Sequence, residues 1–452
     1  MTGQRVAGAA VHAASSEAAS ARRIPFNALA PGVQAIRPEL DGAIARVLDS
    51  GWFLLGPELS GFEQEFAAYH GGGALQAVGV GSGTDALRIG LSALGVQSGD
   101  DVLVVANAGV PPVAAVVAAG ARPVFCDVDP STHTLDPAEI GRRVTPRSRA
   151  LLVVHLFGQP APMDAIVAAA RRFGLRVLED CAQAHGARHQ GRLVGTWGDA
   201  AAFSFYPTKN LGALGDAGAV LTADPAVAEQ ARLLRMYGWR HKYLSERHST
   251  VSRLDELQAA CLAVKLRHLD AWNATRRHLA GLYRSRLADL APRVALPPED
   301  GVFHLFVVRT RNLADRDGLR GYLAEQGIGT DVHYPWPAHL QPPYAEFGLG
   351  PGSLPATEHL AQQVLSLPLY PELPEADLAY VADQVHAWAV APAADRPGGW
   401  AKRAGSTQTR SEPAGETRSE PASETRSEPA AETRSEPAAT APGHGAPGGG
   451  AG

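Results

Sequence analysis

Over residues 75–180 the chain alternates short apolar runs with segments of helical spacing. The runs at 75–80, 101–106, 122–128, 151–156 and 175–179 are nearly continuous in apolar residues. That is the pattern of parallel strands buried on both faces, not of strands with one wet side. Ala86, Leu87, Ile89, Gly90, Leu91 and Leu94 recur at helical spacing and predict a helix over 84–95. Further helices are predicted around 114–119 and over 163–173. Alternation at this length predicts an α/β domain, a mostly parallel central sheet with helices on both faces. A long helical region over 253–290 follows, then two short strands, 304–310 and 329–334, around a helix, and a last helix over 375–388. These predict a smaller α+β domain. The boundaries read from the pattern are 23–265 for the large domain and 266–392 for the small one. The first thirty or so residues of the large domain are expected to pack with the small one.

Both ends differ from this middle. Residues 1–22 are Ala, Ser and Gly without periodicity and read as a disordered leader; they lack the strong Leu or Phe run of a signal peptide. In 393–452 the sequence Thr-Arg-Ser-Glu-Pro-Ala returns four times, beginning at Thr409, Thr417, Thr425 and Thr433. Nothing in it buries enough apolar area to offset the entropy of ordering, so a flexible tail is predicted. A formal charge of −5 provides no basic field for nucleic acid and no cationic face for a membrane. The most apolar stretch, 110–121, is too short to span a bilayer. Cys126, Cys181 and Cys261 lie far apart, which argues against a disulfide framework or a zinc site and for a reducing cytoplasm.

The chemistry concentrates in three segments. Lys209 lies in Phe203-Ser204-Phe205-Tyr206-Pro207-Thr208-Lys209-Asn210, ahead of the Gly-rich Leu211-Gly212-Ala213-Leu214-Gly215-Asp216. Asp180 follows the apolar run 176–179, beyond the carboxyl end of a predicted strand, where open α/β sheets bind ligands. An amine in an apolar hairpin and a carboxylate at a strand end suit pyridoxal phosphate (PLP): the lysine forms the Schiff base and the acid keeps the pyridine nitrogen protonated. Gly81-Ser82-Gly83-Thr84-Asp85 joins a strand to a helix and fits a phosphate, with Ser204 as a further donor. Thr84 read alone is equally a helix cap, and Asp180 alone equally caps the next turn. Ala182 is small enough to lie against a flat ring, and Gln183 can hydrogen-bond a phenolic oxygen on its edge. His185 is either a core histidine or a substrate contact. No residue set suggests a metal.

These residues resemble the DegT/StrS family of PLP-dependent nucleotide-sugar aminotransferases. The likeness runs from about residue 24 to 390. It is carried by Gly56-Pro57-Glu58, Gly81 to Leu87, Val124 to Asp129, His155-Leu156-Phe157-Gly158-Gln159-Pro160, the Asp180 and Lys209 segments, and Arg253 to Ala260. The resemblance implies the fold-type-I (aspartate-aminotransferase) fold, with Lys209 as the Schiff-base lysine and Asp180 as the pyridine partner. Gln183 would lie at the ring oxygen, and Gly83, Thr84 and Ser204 at the phosphate. It further implies a homodimer with active sites at the subunit interface, L-glutamate as donor and a nucleotide-linked keto-deoxysugar as acceptor. Lys209 itself argues for transamination, since relatives that dehydrate the sugar carry histidine there.

Three positions depart from the family pattern. Ser249-Thr250-Val251-Ser252 lacks the Asn that usually reaches the neighbouring subunit's cofactor phosphate, and Gly109 stands where an aromatic residue often covers the ring. Cys181 replaces a common Ala, an exchange expected to be harmless. For the substrate, His333-Tyr334-Pro335 and Pro337-Ala338-His339-Leu340-Gln341 resemble members that aminate C-3 of a thymidine-diphospho-keto-6-deoxyhexose, with Tyr334 and His339 as candidate contacts beside His185. A 4-keto sugar, a keto-cyclitol or a silent PLP-binding regulator remain as alternatives.

Overall fold

The computed structural model describes residues 22–391. They belong to the first of two compact units, Met1–Gly405. The leader, apart from Arg22, and the repeat tail lie outside the described residues.

Seven strands form the central sheet: β1 (Gln76–Val80), β2 (Asp101–Val105), β3 (Arg122–Cys126), β4 (Ser148–Val154), β5 (Arg176–Asp180), β6 (Ala200–Ser204) and β7 (Gly218–Thr222). Their order is β1-β7-β6-β5-β4-β2-β3. Only β7 runs against its neighbours; β6, β5, β4, β2 and β3 pair in parallel. Every residue of β2, β6 and β7 is buried, which is why these runs read as continuous apolar stretches. Because β7 reverses, Gly218 at its start stands opposite both Ser204 at the end of β6 and Val80 at the end of β1. Three chain segments therefore converge on the carboxyl edge of the sheet.

The region over 253–290 is not one helix. It divides into Glu256–Leu266 and Leu269–Leu287. No Pro or Gly marks the break; the two halves part because they pack against different neighbours. Glu256–Leu266 is enclosed between Arg37–Ser50 and Pro57–Tyr69, whereas Leu269–Leu287 lies on the last helix, Glu375–Val390. The strand expected over 329–334 is likewise absent; that segment makes one bridge, Asp331 to Ser366. The small antiparallel sheet is β8 (Val294–Ala295), β9 (Phe306–Thr310) and β10 (Val364–Leu367), in that order. All four residues of β10 are buried directly after a helix, a run too short to show a period of its own. Ile24 bridges to Ile328, so the first of the described residues pack with the C-terminal part. One core runs without interruption from the sheet to Tyr283, Phe306, Leu319 and Trp388. Among the described residues no helix is long and apolar enough to cross a membrane.

Glu256 links the first part of the chain to this frame. Its carboxylate, 1% exposed, accepts the N–H groups of Gly56 (2.7 Å), Glu58 (2.8 Å) and Leu59 (3.2 Å), capping Pro57–Tyr69 from another helix. Glu256→Ala leaves these donors unmet and should lower unfolding free energy by about 2–4 kcal/mol. A urea midpoint unchanged from wild type would contradict this role.

Candidate active site

The turn after β1 is built for an anion. Ser82 caps the helix Gly83–Ala93 by accepting the Asp85 N–H at 3.1 Å. Thr84 is thus inside the first turn and is not the cap that its side chain alone allowed. The N–H groups of Gly83 and Thr84 are left as first-turn donors. A Cβ on Gly83 would fall 2.4 Å from Ser204 Cβ, so glycine lets the helix start meet the end of β6. Ser204 Oγ accepts the Tyr206 N–H at 3.3 Å, which leaves its O–H free to donate. Gly83 and Ser204 meet here, with Thr84 next along the first turn of the helix. Sequence reasoning missed Ser252: its Oγ accepts the Gly81 N–H (2.9 Å) and donates to Asp85 Oδ2 (2.8 Å), bracing the turn from the segment that holds Val251.

Asp180 is the last residue of β5 and is buried. Its Oδ1 accepts the Ala182 N–H at 3.0 Å. Burial pushes its carboxyl above the usual range, against the pull of that N–H and of the neighbouring Lys209 and His155. Lys209 lies in the connection from β6 to β7, where its own N–H bonds Tyr206 O at 2.8 Å. Burial pushes its amine down to about 8, and Asp180 opposes the shift.

Behind them sits Glu179, fully buried, which accepts the N–H groups of Gly195, Trp197 and Gly198, each at 2.7 Å. His155 Nδ1 accepts the Ala161 N–H, so its Nε2 is the donor to Glu179 at 3.0 Å. Burial raises the Glu179 carboxyl, but His155 and the surrounding N–H groups outweigh it and hold it below the ordinary range.

Gln183 Oε1 accepts the Phe157 N–H at 2.6 Å, and its Nε2 donates to the Tyr334 hydroxyl at 3.2 Å. The Tyr334 ring lies over Gly109, where an added Cβ would come within 3.3 Å of it. Gly109 leaves room that Tyr334 fills from the C-terminal part of the chain. Burial pushes the Tyr334 hydroxyl up to about 12, so it stays protonated at neutral pH.

Two predicted contacts are buried side chains, and neither ring nitrogen of His185 has a hydrogen-bond partner among the described residues. His185 is 1% exposed and tilted against Phe203 and Phe205, the core alternative. His339 is also 1% exposed; its Nε2 bonds Glu358 (3.1 Å), which in turn takes the Gly352 N–H, so it braces the Pro-rich loop. Asn210 is a second residue that sequence reasoning did not assign. Its Nδ2 reaches Asn273 Oδ1 (2.9 Å) and Val302 O, and its Oδ1 meets His304 Nδ1 (3.1 Å), fixing the chain next to Lys209.

The set fits PLP. A glycine-cleared helix start with free N–H groups suits the phosphate, and a buried carboxylate at a strand end suits the pyridine nitrogen. Lys209 has no carboxylate within 4.0 Å among the described residues, so its amine is available to an aldehyde.

A family model, the DegT/DnrJ/EryC1/StrS aminotransferase family, matches residues 34–386. The chain is 51% identical over 378 residues to a dTDP-3-amino-3,4,6-trideoxy-alpha-D-glucose transaminase of Streptomyces venezuelae, covering 83% of this chain and 98% of that one. It is 52% identical over 354 residues to the erythromycin biosynthesis sensory transduction protein EryC1 of Saccharopolyspora erythraea, covering 77% and 95%. The crystal structure of S. venezuelae DesV in complex with a ketimine intermediate superposes with a TM-score of 0.79 at 51% identity, covering 82% of this chain and 99% of that one.

Two measurements test the site. Only the neutral amine of Lys209 attacks an aldehyde, so the rate of PLP attachment to cofactor-free protein should rise through pH about 8 and level off above it. A rise centred near an ordinary lysine value would refute the burial effect. Gly83→Ala should weaken PLP binding about tenfold or more, read by absorbance titration, because Ser204 or the helix start must move.

Proposed function

The chain belongs to the DegT/DnrJ/EryC1/StrS aminotransferase family, and on that premise we propose that it moves an amino group from L-glutamate to C-3 of a dTDP-linked 3-keto-6-deoxyhexose, in deoxyaminosugar biosynthesis. It is a PLP-dependent aminotransferase. The observation that carries the C-3 assignment is the 51% identity, over nearly its whole length, to a transaminase whose product bears its amine at C-3. The His333–Gln341 loop supports the same reading from the sequence.

Bound PLP supplies the electron sink that lets a carbon next to nitrogen lose its proton. The protein does the rest. Gly83, Thr84 and Ser204 would hold the phosphate, and Asp180 would keep the ring nitrogen protonated. A carboxylate raised by burial gains from a cationic partner, so the ring's charge would favour the ionised form of Asp180. Lys209 Nζ, once displaced, would take the proton from the donor's α-carbon and later deliver one to C-3 of the sugar. An amine near 8 is partly neutral at working pH, as a base must be. Tyr334 and Gln183 would keep water from the side of the ring above Gly109.

We also propose a homodimer. Trp52, Phe53, Leu54 and Leu55 are 36–56% exposed, and Leu54 bridges to Asp255, near the Ser252 brace. Val251 beside that brace, and Tyr206 and Leu214 flanking Lys209, are exposed too. So much apolar surface around one site suits a second copy of the chain. The three cysteines are buried and free, which suits the cytoplasm.

The test is a panel of dTDP-linked 3-keto and 4-keto sugars with L-glutamate, the aminated products identified by mass and position. C-3 amination is expected. Amination confined to 4-keto substrates would sink the assignment, and a monomer by sedimentation would sink the dimer.

A further inference from the structure

A cavity of about 250 Å³ opens beside the Lys209 loop. Its wall includes Lys209 and two more cations, Lys265 and Arg276, which are 8% and 5% exposed. Lys265 Nζ donates to Gly212 O at 2.7 Å, one bond for a group with three donors. Arg276 Nη1 reaches the carbonyls of Leu369 (3.0 Å) and Phe303 (3.3 Å), while its buried Nε has no acceptor. Among the described residues neither cation has a carboxylate within 4.0 Å. Glu372, also on the wall, is felt by both at longer range. Burying two cations against one distant carboxylate is costly unless an anion joins them.

We propose that this cavity binds a carboxylate of the amino-acid donor and so holds the donor's amine beside Lys209, where the aldehyde carbon of bound PLP would receive it and release the lysine. The inference rests on the aminotransferase reading above and adds where the donor is held. Two fixed positive charges less one negative leave a single positive charge, matched to a monoanionic carboxylate. Leu29, Val33 and Trp272 supply an apolar wall for methylenes. The volume is below the range typical of drug-sized ligands, so a five-carbon amino acid fits and a nucleotide sugar does not. Donor and acceptor would then share Lys209 while using different anchors.

The test follows each half-reaction separately on the PLP-loaded enzyme by cofactor absorbance. Lys265→Met, which keeps the stem and removes the charge, should raise the half-saturating L-glutamate concentration about tenfold or more. Glu372→Gln should lower it, because the one repelling carboxylate is gone. Neither variant should change half-saturation by the keto sugar. Opposite shifts confined to the donor half support the cavity. A Glu372→Gln enzyme with unchanged or weaker glutamate saturation overturns it, even where Lys265→Met fails to fold. Wild-type enzyme indifferent to glutamate overturns the functional reading as well, which separates the two failures.

Discussion

Everything at the carboxyl edge of the sheet depends on how Glu179 is satisfied. Two acids stand side by side at the end of β5, and they point into opposite environments because strand residues alternate. Glu179 is closed off by three backbone N–H groups and His155, so its charge is fully spent inside the protein. Those N–H groups belong to the chain between β5 and β6, and His155 follows β4. One carboxylate therefore fixes two segments relative to the last residue of β5. Asp180 inherits that position with a single N–H on its carboxylate. Removing Glu179 would unsettle Asp180 without touching it.

The same edge sets the electrostatics. Burial works on Asp180 and Lys209 in opposite senses, raising one and lowering the other, and each partly corrects its neighbour. Neither shift needs a special residue; both follow from enclosing polar groups where the end of β5 meets the β6–β7 connection. The reversed strand β7 brings this about, since it carries the chain straight back past Val80 and Ser204 and leaves the Lys209 connection nowhere to go but over the strand ends.

Much of this was legible in the residues. Continuous apolar runs marked β1 to β5, though not β6 and β7, and Asp180, Lys209 and the Gly81–Thr84 turn pointed to a PLP site. What was not legible depended on partners remote in sequence. The break after Leu266 has no breaker residue and exists because two helices pack on different neighbours. The strand β10 is four residues long, so no periodicity could distinguish it. Ser252 and Asn210 act through bonds to Asp85 and Asn273, which no local motif reveals. Ser82, not Thr84, caps its helix, a one-residue difference that sequence preference alone does not resolve. His339 looked like a substrate contact because its segment resembles that of relatives that aminate C-3, yet its Nε2 bonds Glu358. Gly109 looked like a loss until Tyr334 was found in the space it leaves.

That last exchange has a wider meaning. In a chain where residue 109 carried the ring, the cover over the ligand would move rigidly with the large sheet. Here it is lent by a segment whose bond to Gln183 spans 151 positions, and which hangs from β10 through the Asp331–Ser366 bridge. The lid and the floor of the pocket thus belong to separately braced parts of the molecule. Substitutions in the small antiparallel sheet thus bear on Tyr334, through the Asp331–Ser366 bridge, before they bear on Asp180 or Lys209.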